Sequence, residues 1–137
     1  IIHDPANTEI GTYSLTLSEA GRADPLFSQL PERFNAQMGH KDRAARHPEG
    51  IPNLAGSELS PFQALRVPGK PIWATQFHPE LDGAENLRRY MTYLDGYSAH
   101  LSEEEREAAK RRFRDSPEAE EILPRFSAYL RETSGRA

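Results

Sequence analysis

The stretch Lys70-Pro-Ile-Trp-Ala-Thr-Gln-Phe-His-Pro-Glu-Leu81 decides how this chain is read. Its apolar run, Ile72, Trp73 and Ala74, continues through Thr75, Gln76 and Phe77, which predicts a buried strand. Two ionisable groups, His78 and Glu80, follow at its tip, separated by Pro79. Proline has no backbone N–H and disfavours helical geometry at the residue before it, so His78 is expected to stay extended while the chain turns beyond it. Ligands of open α/β sheets bind just outside such strand ends.

Upstream, Phe62–Val67 reads as a second strand, and the Pro68-Gly69 turn predicts a hairpin with Ile72–Phe77. Further back, Ile10–Ser18 alternates, with Tyr13, Leu15 and Leu17 on one face and Thr12, Ser14 and Thr16 on the other. Arg33–Met38 alternates again, with Phe34, Ala36 and Met38 inward, and runs into Gly39-His40-Lys41-Asp42. Between these two strands, Asp24-Pro25 has the form of a helix cap followed by proline, predicting a short helical turn through Leu26, Phe27 and Leu30. Ile51–Ala55 suggests another short strand after a basic loop in which His47-Pro48-Glu49 repeats the His-Pro-Glu pattern with no apolar strand before it.

Downstream of Glu80, the spacing predicts a helix over about Ala84 to Tyr97, with Leu87, Tyr90, Met91, Leu94 and Tyr97 on one stripe. The chain then becomes more polar. Ser102 and Glu105 have capping-box spacing, and Lys110, Arg111 and Arg112 close that helix in accord with its dipole. A last helix is expected after Ser116-Pro117, with Ile122, Leu123, Phe126, Tyr129 and Leu130 apolar and Pro124 either kinking it or marking its true start.

The Gln76-Phe77-His78-Pro79-Glu80 sequence after a strand resembles the C-terminal signature of class I, or triad-type, glutamine amidotransferases. The wording from Tyr13 to Glu80 is similar to the branch related to GMP synthase amidotransferase domains. The resemblance implies an α/β fold: the C-terminal part of a flavodoxin-like amidotransferase domain, a mostly parallel twisted sheet flanked by helices, with a helical C-terminal extension. Residues 1–97 would form the amidotransferase portion and 98–137 the extension. It also implies a Cys-His-Glu triad in which His78 is the histidine and Glu80 the glutamate. Gly39, His40 and Asp42 match a strand followed by His-x-Asp that lines the glutamine site in that family. Spacing alone favours His40 and Asp42 merely capping a turn; the downstream Gln76–Glu80 signature moves the balance toward an active-site wall, in which Asp42 is expected to fix a loop through backbone N–H groups rather than to transfer protons.

The family's third triad member is a cysteine in a Gly-x-Cys-x-Gly turn, and this chain contains none. The expectation is therefore that the chain supplies the His and Glu, and that the nucleophile resides in a missing N-terminal portion. No cofactor is implied. Glutamine is the expected substrate, and a synthase domain or partner would accept the ammonia. The alternatives are an amidotransferase-like binding or regulatory module without catalysis, a hydrolase using Ser14 or Ser57, and a metal site built from His40, Asp42, His78 and Glu80.

Composition bounds the remaining classes. The 137 residues suffice for one domain with a real core. A net charge of −4 argues against a nucleic-acid footprint, because neutralising phosphates requires a basic face. Mean hydropathy is −0.75 and no run approaches membrane-spanning length, so a soluble, cytoplasmic protein is expected. Without cysteines there are no disulfides or thiolate metal sites.

Overall fold

The computed structural model describes residues 1–97 and 102–135, with the side chains of 94–97 and 109 outside the description. The described elements begin with β1 (Ile2–His3) and a 3-10 turn at Pro5–Asn7. Next come β2 (Glu9–Leu17), α1 (Glu19–Arg22), β3 (Arg33–His40), β4 (Asp42–Arg43) and β5 (Asn53–Gly56). The hairpin strands are β6 (Ala64–Arg66) and β7 (Trp73–Thr75), and the helices α2 (Gly83–Tyr97), α3 (Glu103–Lys110), α4 (Pro117–Glu120) and α5 (Ile122–Ser134) follow them.

Among the described residues, five strands form one sheet in the order β3-β2-β5-β6-β7, and β1 pairs with β4 in a small second sheet. Alternation along β2 buries Leu15 and Leu17 and exposes Ser14 and Thr16. The predicted hairpin forms with Ala64 opposite Thr75 and Arg66 opposite Trp73. Its turn places Gly69 at φ 70°, and Lys70 N–H donates to Val67 O, the geometry expected of proline then glycine at the turn centre.

The α/β class expected from the family resemblance is the one observed, with helices packed on a curled sheet. The pairings among the described strands are nevertheless antiparallel, where a mostly parallel sheet was expected. Connection length explains much of this. A parallel pair needs a crossover of roughly a dozen residues or more, whereas β6 and β7 are joined by a tight turn and β5 and β6 by a short loop. The strand through Trp73 is also shorter than expected, because the chain bends at Gln76 and Phe77 after β7. Beyond the bend, His78 bridges to Gln37 of β3, so the two ends of the sheet approach each other.

The core gathers Leu15, Phe27, Phe34, Met38, Leu54 and Phe77. Ala119 and Ile122, from α4 and α5, belong to the same cluster. Trp73 leans on it through edge contacts to Phe126 (5.7 Å) and Tyr129 (5.2 Å) of α5. α3 is largely exposed and carries the expected capping box: Ser102 N–H donates to Glu105 Oε2 (2.7 Å), and Glu105 N–H to Ser102 Oγ (3.2 Å). Pro124 falls two residues after the start of α5 and marks its beginning, a position where a missing N–H costs little.

The stretch after Asp24 does not become a helix. Asp24 Oδ1 accepts the cap bonds from Leu26 N–H (2.8 Å) and Phe27 N–H (3.2 Å), but the residues run on as successive turns up to Pro31. Asp24 is itself buried, and its other carboxylate oxygen accepts from Trp73 Nε1 (3.0 Å). A residue that reads in sequence as a local cap therefore also fixes the indole at the start of β7.

Candidate active site

Phe77 anchors the bend that presents His78. Its ring is buried and makes edge contacts with Phe27 (6.5 Å) and Phe34 (6.0 Å). His78 N–H then donates to Gln37 O (2.9 Å), and Pro79-Glu80 turns the chain toward buried Leu81 and α2. Asp82 caps α2 by accepting from Glu85 N–H (2.7 Å).

His78 Nδ1 lies 2.8 Å from Glu80 Oε1. A carboxylate at Nδ1 favours the proton there, which leaves Nε2 as the acceptor. Nε2 faces Gly39: a methyl group placed on Gly39 would come within 3.9 Å of it. Burial opposes ionisation of Glu80, but the hydrogen bond to His78, its own backbone N–H and the charges of His78 and Arg89 hold its carboxyl below the ordinary value. Arg89 Nη1 is 3.9 Å from Glu80 Oε1.

This lowered carboxyl has a consequence for folding. A carboxylate whose folded pKa is depressed favours the folded state above its unfolded pKa, and the contribution fades as pH falls through the depressed value. Glu80→Gln is therefore expected to reduce the loss of stability on acidification below about pH 4. Paired thermal melts across that range check this; identical acid limbs in the two proteins would contradict it. Glu80 is 48% exposed, so the effect is small.

A cavity of about 430 Å³ opens beside His78, lined among others by Ile10, Gly39, His40, Leu81 and Tyr90. That volume and its largely apolar wall suit a small ligand. Of the residues selected from sequence, His78, Gly39 and His40 come together on this cavity, and Glu80 stands behind His78. Asp42 does not line it. Its Oδ1 lies 2.6 Å from His3 Nδ1, across the β1–β4 pair in which His3 stands opposite Asp42. The expected role for Asp42, holding a loop through backbone N–H groups, is thus replaced by a side-chain pair that ties the start of the chain to β4.

His40 has an unexpected partner. Its Nε2 lies 3.1 Å from Oε2 of Glu9, a wholly buried carboxylate opposite it in the β2–β3 register. The approach is close without the direction of a proper hydrogen bond, so both ring nitrogens of His40 lack a well-aligned donor or acceptor partner. Glu9 Oε2 also accepts from Gln63 Nε2 (2.6 Å). The site therefore contains two imidazole–carboxylate pairs, one half-exposed and one buried.

The alternative sites fare differently. His40 pairs with Glu9, Asp42 with His3 and His78 with Glu80, and among the described residues no three His, Cys, Asp or Glu side chains group to hold a metal ion. Ser57 Oγ is engaged by Ser60 and Gln63. Ser14 is exposed on β2.

Three polar residues around the site escape sequence reading: Glu9, Gln37 and Asn86, all buried. Asn86 sits one residue before Leu87 of the apolar stripe, and its Nδ2 donates to Gln37 Oε1 (3.0 Å) and Met38 O (3.2 Å). For Gln37 the available signal is a polar residue between the core positions Ala36 and Met38, which sequence patterning treats as solvent-facing; Glu9 and Asn86 stand between partly buried neighbours and carry no such signal.

The fold and site define an α/β domain with a histidine–carboxylate pair at the mouth of a small-ligand cavity. A model of the class-I glutamine amidotransferases matches residues 3–92, and the chain belongs to that family. It is similar to a glutamine-hydrolyzing GMP synthase subunit of Methanocaldococcus jannaschii, with 38% identity over 77 residues, 56% of this chain and 41% of the relative. It is also similar to the glutamine-hydrolyzing GMP synthase of Thermosipho melanesiensis, with 47% identity over 58 residues, 42% of this chain and 11% of the relative. The chain thus matches about two fifths or less of the length of these relatives. A solved glutamine amidotransferase from Thermotoga maritima shares its fold with a TM-score of 0.60 at 20% identity, covering 90% of this chain and 53% of that one. Among the described residues no helix is long and apolar enough to cross a membrane.

Proposed function

We propose that this chain supplies the general base and the orienting carboxylate of a cytoplasmic glutamine amidotransferase, related to those of GMP synthases, whose nucleophilic thiol lies in sequence outside these 137 residues. The observation that carries this reading is the His78 Nδ1–Glu80 Oε1 contact of 2.8 Å, with Nε2 directed toward the cavity beside Gly39.

In this mechanism the thiol gives its proton to His78 Nε2, and the thiolate attacks the side-chain amide carbon of glutamine. Glu80 stabilises the imidazolium through Nδ1–H. As the tetrahedral intermediate collapses, His78 Nε2–H protonates the departing nitrogen and ammonia leaves, with the acyl group on sulfur. Water then adds to the thioester while His78 takes a proton from it and returns it to the departing sulfur, which releases glutamate and regenerates the free thiol. Gly39 leaves room for close approach of the substrate to Nε2, and His40, set against Glu9, forms part of the wall. Asp42 acts at one remove, by anchoring the segment after β3. The ammonia passes to an acceptor on a synthase partner or domain.

The test is ammonia release from glutamine by the full-length gene product beside this chain alone. Activity in the first and none in the second is the expected outcome. Equal activity in the chain alone would sink the reading. The absence of any cysteine favours one second reading, a binding or regulatory module that does not hydrolyse glutamine. A folded full-length product without ammonia release, with candidate acceptors present, would establish it.

A further inference from the structure

Gln37 lies out of phase with the inward residues Phe34, Ala36 and Met38 of β3, yet it is completely buried. Both protons and the oxygen of its side-chain amide find partners. Nε2 donates to Arg114 O (2.7 Å) and Ser116 Oγ (3.0 Å), both in the connection between α3 and α4. Oε1 accepts from Asn86 Nδ2 (3.0 Å) of α2 and lies 3.2 Å from Thr12 Oγ1. The single hydroxyl proton of Thr12 serves its shorter contact, Arg114 O at 2.8 Å, and the hydroxyl oxygen accepts from Arg114 N–H at 2.8 Å.

The same connection is fitted closely to the rest of the fold. Thr12 N–H donates to Arg112 O (2.8 Å). A side chain on Gly83 would meet Arg114 O at 2.6 Å, and one on Gly11 would meet Arg112 O at 3.0 Å, so both positions need the small residue they have. Ser116 is itself fully buried. A buried amide with both donors and its oxygen engaged has few alternative arrangements, because each displacement strands donors and acceptors away from water.

The main chain of this residue is the one that receives His78. Strand β7 has ended at Thr75, and after the bend it is the Gln37 carbonyl, at 2.9 Å from His78 N–H, that returns the segment to the sheet. We infer that Gln37 is a positioning residue for His78, and that residues 112–116, which lie beyond the stretch matching the family model, act as a latch setting the position of the catalytic-site imidazole through it. The catalytic meaning of that position rests on the proposed function; the latch itself does not.

The experiment is amide hydrogen exchange on the 137-residue chain, comparing wild type with Ser116→Ala and Gln37→Met. The readout is the His78 amide against the Val67 amide, which is bonded to Ile72 O within the hairpin and does not touch the latch. Ser116→Ala is expected to raise His78 exchange by about tenfold relative to Val67, and Gln37→Met to raise it further. Unchanged His78 exchange, or equal acceleration of both amides, would overturn the inference; the second outcome would make the contact a general contributor to stability. If Gln37→Met does not fold, Ser116→Ala decides, since it leaves the Arg114 bond in place. In the active full-length protein, Ser116→Ala is expected to lower kcat with KM unchanged. No activity in that protein would count against the amidotransferase reading and leave the exchange result standing.

Discussion

His78→Ala in the full-length gene product is expected to lower ammonia release from glutamine by about a hundredfold to ten-thousandfold, the range for loss of a positioned acid–base group. In the proposed mechanism the imidazole accepts and returns a proton in each half of the reaction, and the second imidazole on the cavity is not arranged to replace it. His40 lies on the same cavity, but both its ring nitrogens are buried and Nε2 sits against Glu9. Folding should survive, because the His78 side chain is one-third exposed and its backbone bond to Gln37 remains available to alanine. Circular dichroism of the variant checks that point alongside the assay. A folded variant that retains wild-type ammonia release would remove His78 from the reaction.

Phe77→Ala is expected to destabilise the chain by about 3–5 kcal/mol, the range for removing a buried phenylalanine. Its ring makes edge contacts with both Phe27 and Phe34, so truncation both loses transfer free energy and leaves a cavity lined by two other rings. Domains of this size have total stabilities of about 5–15 kcal/mol. The loss should therefore appear as a fall in melting temperature of roughly 10 to 20 °C. Phe77→Leu, which keeps most of the volume, should lose much less. The effect reaches the site as well, since Phe77 fixes the bend from which His78 projects. A melting temperature for Phe77→Ala within a few degrees of wild type would show that the bend is held by the hydrogen bonds of its neighbours.

The parts of this fold legible in sequence are those where apolar and polar residues segregate. β2 and β3 show as alternation, α2 as a stripe, and the β6–β7 hairpin as two runs around Pro68-Gly69. The stripe residues Leu94 and Tyr97 have side chains outside the described residues, as does the expected boundary between residues 97 and 98. The His78–Glu80 contact follows from two residues separated by a proline, a local arrangement that sequence shows directly.

Long-range polar partnerships are not legible. Glu9 opens a strand and reads as a surface residue, but cross-strand register brings it against His40, and Gln63, just before β6, bonds its carboxylate. Gln37 reads as the solvent side of β3 until residues 114–116, far along the chain, cover it. Asp42 reads as a backbone anchor because its neighbours in sequence offer N–H groups; its partner, His3, comes from the start of the chain. Each of these depends on contacts between residues distant in sequence, where local periodicity carries no information.

The most direct measurement of the central claim is the pH dependence of iodoacetamide alkylation of the nucleophilic thiol in the full-length gene product, wild type against His78→Ala. Thiolate is the reactive form, and a neighbouring imidazolium brings it out well below the ordinary thiol pKa of about 8.5. If this chain delivers the base, the wild-type thiol reacts in a pH range clearly below that value and His78→Ala returns it to the ordinary range. Coincident profiles in the two proteins would contradict the claim that His78 is the thiol's partner.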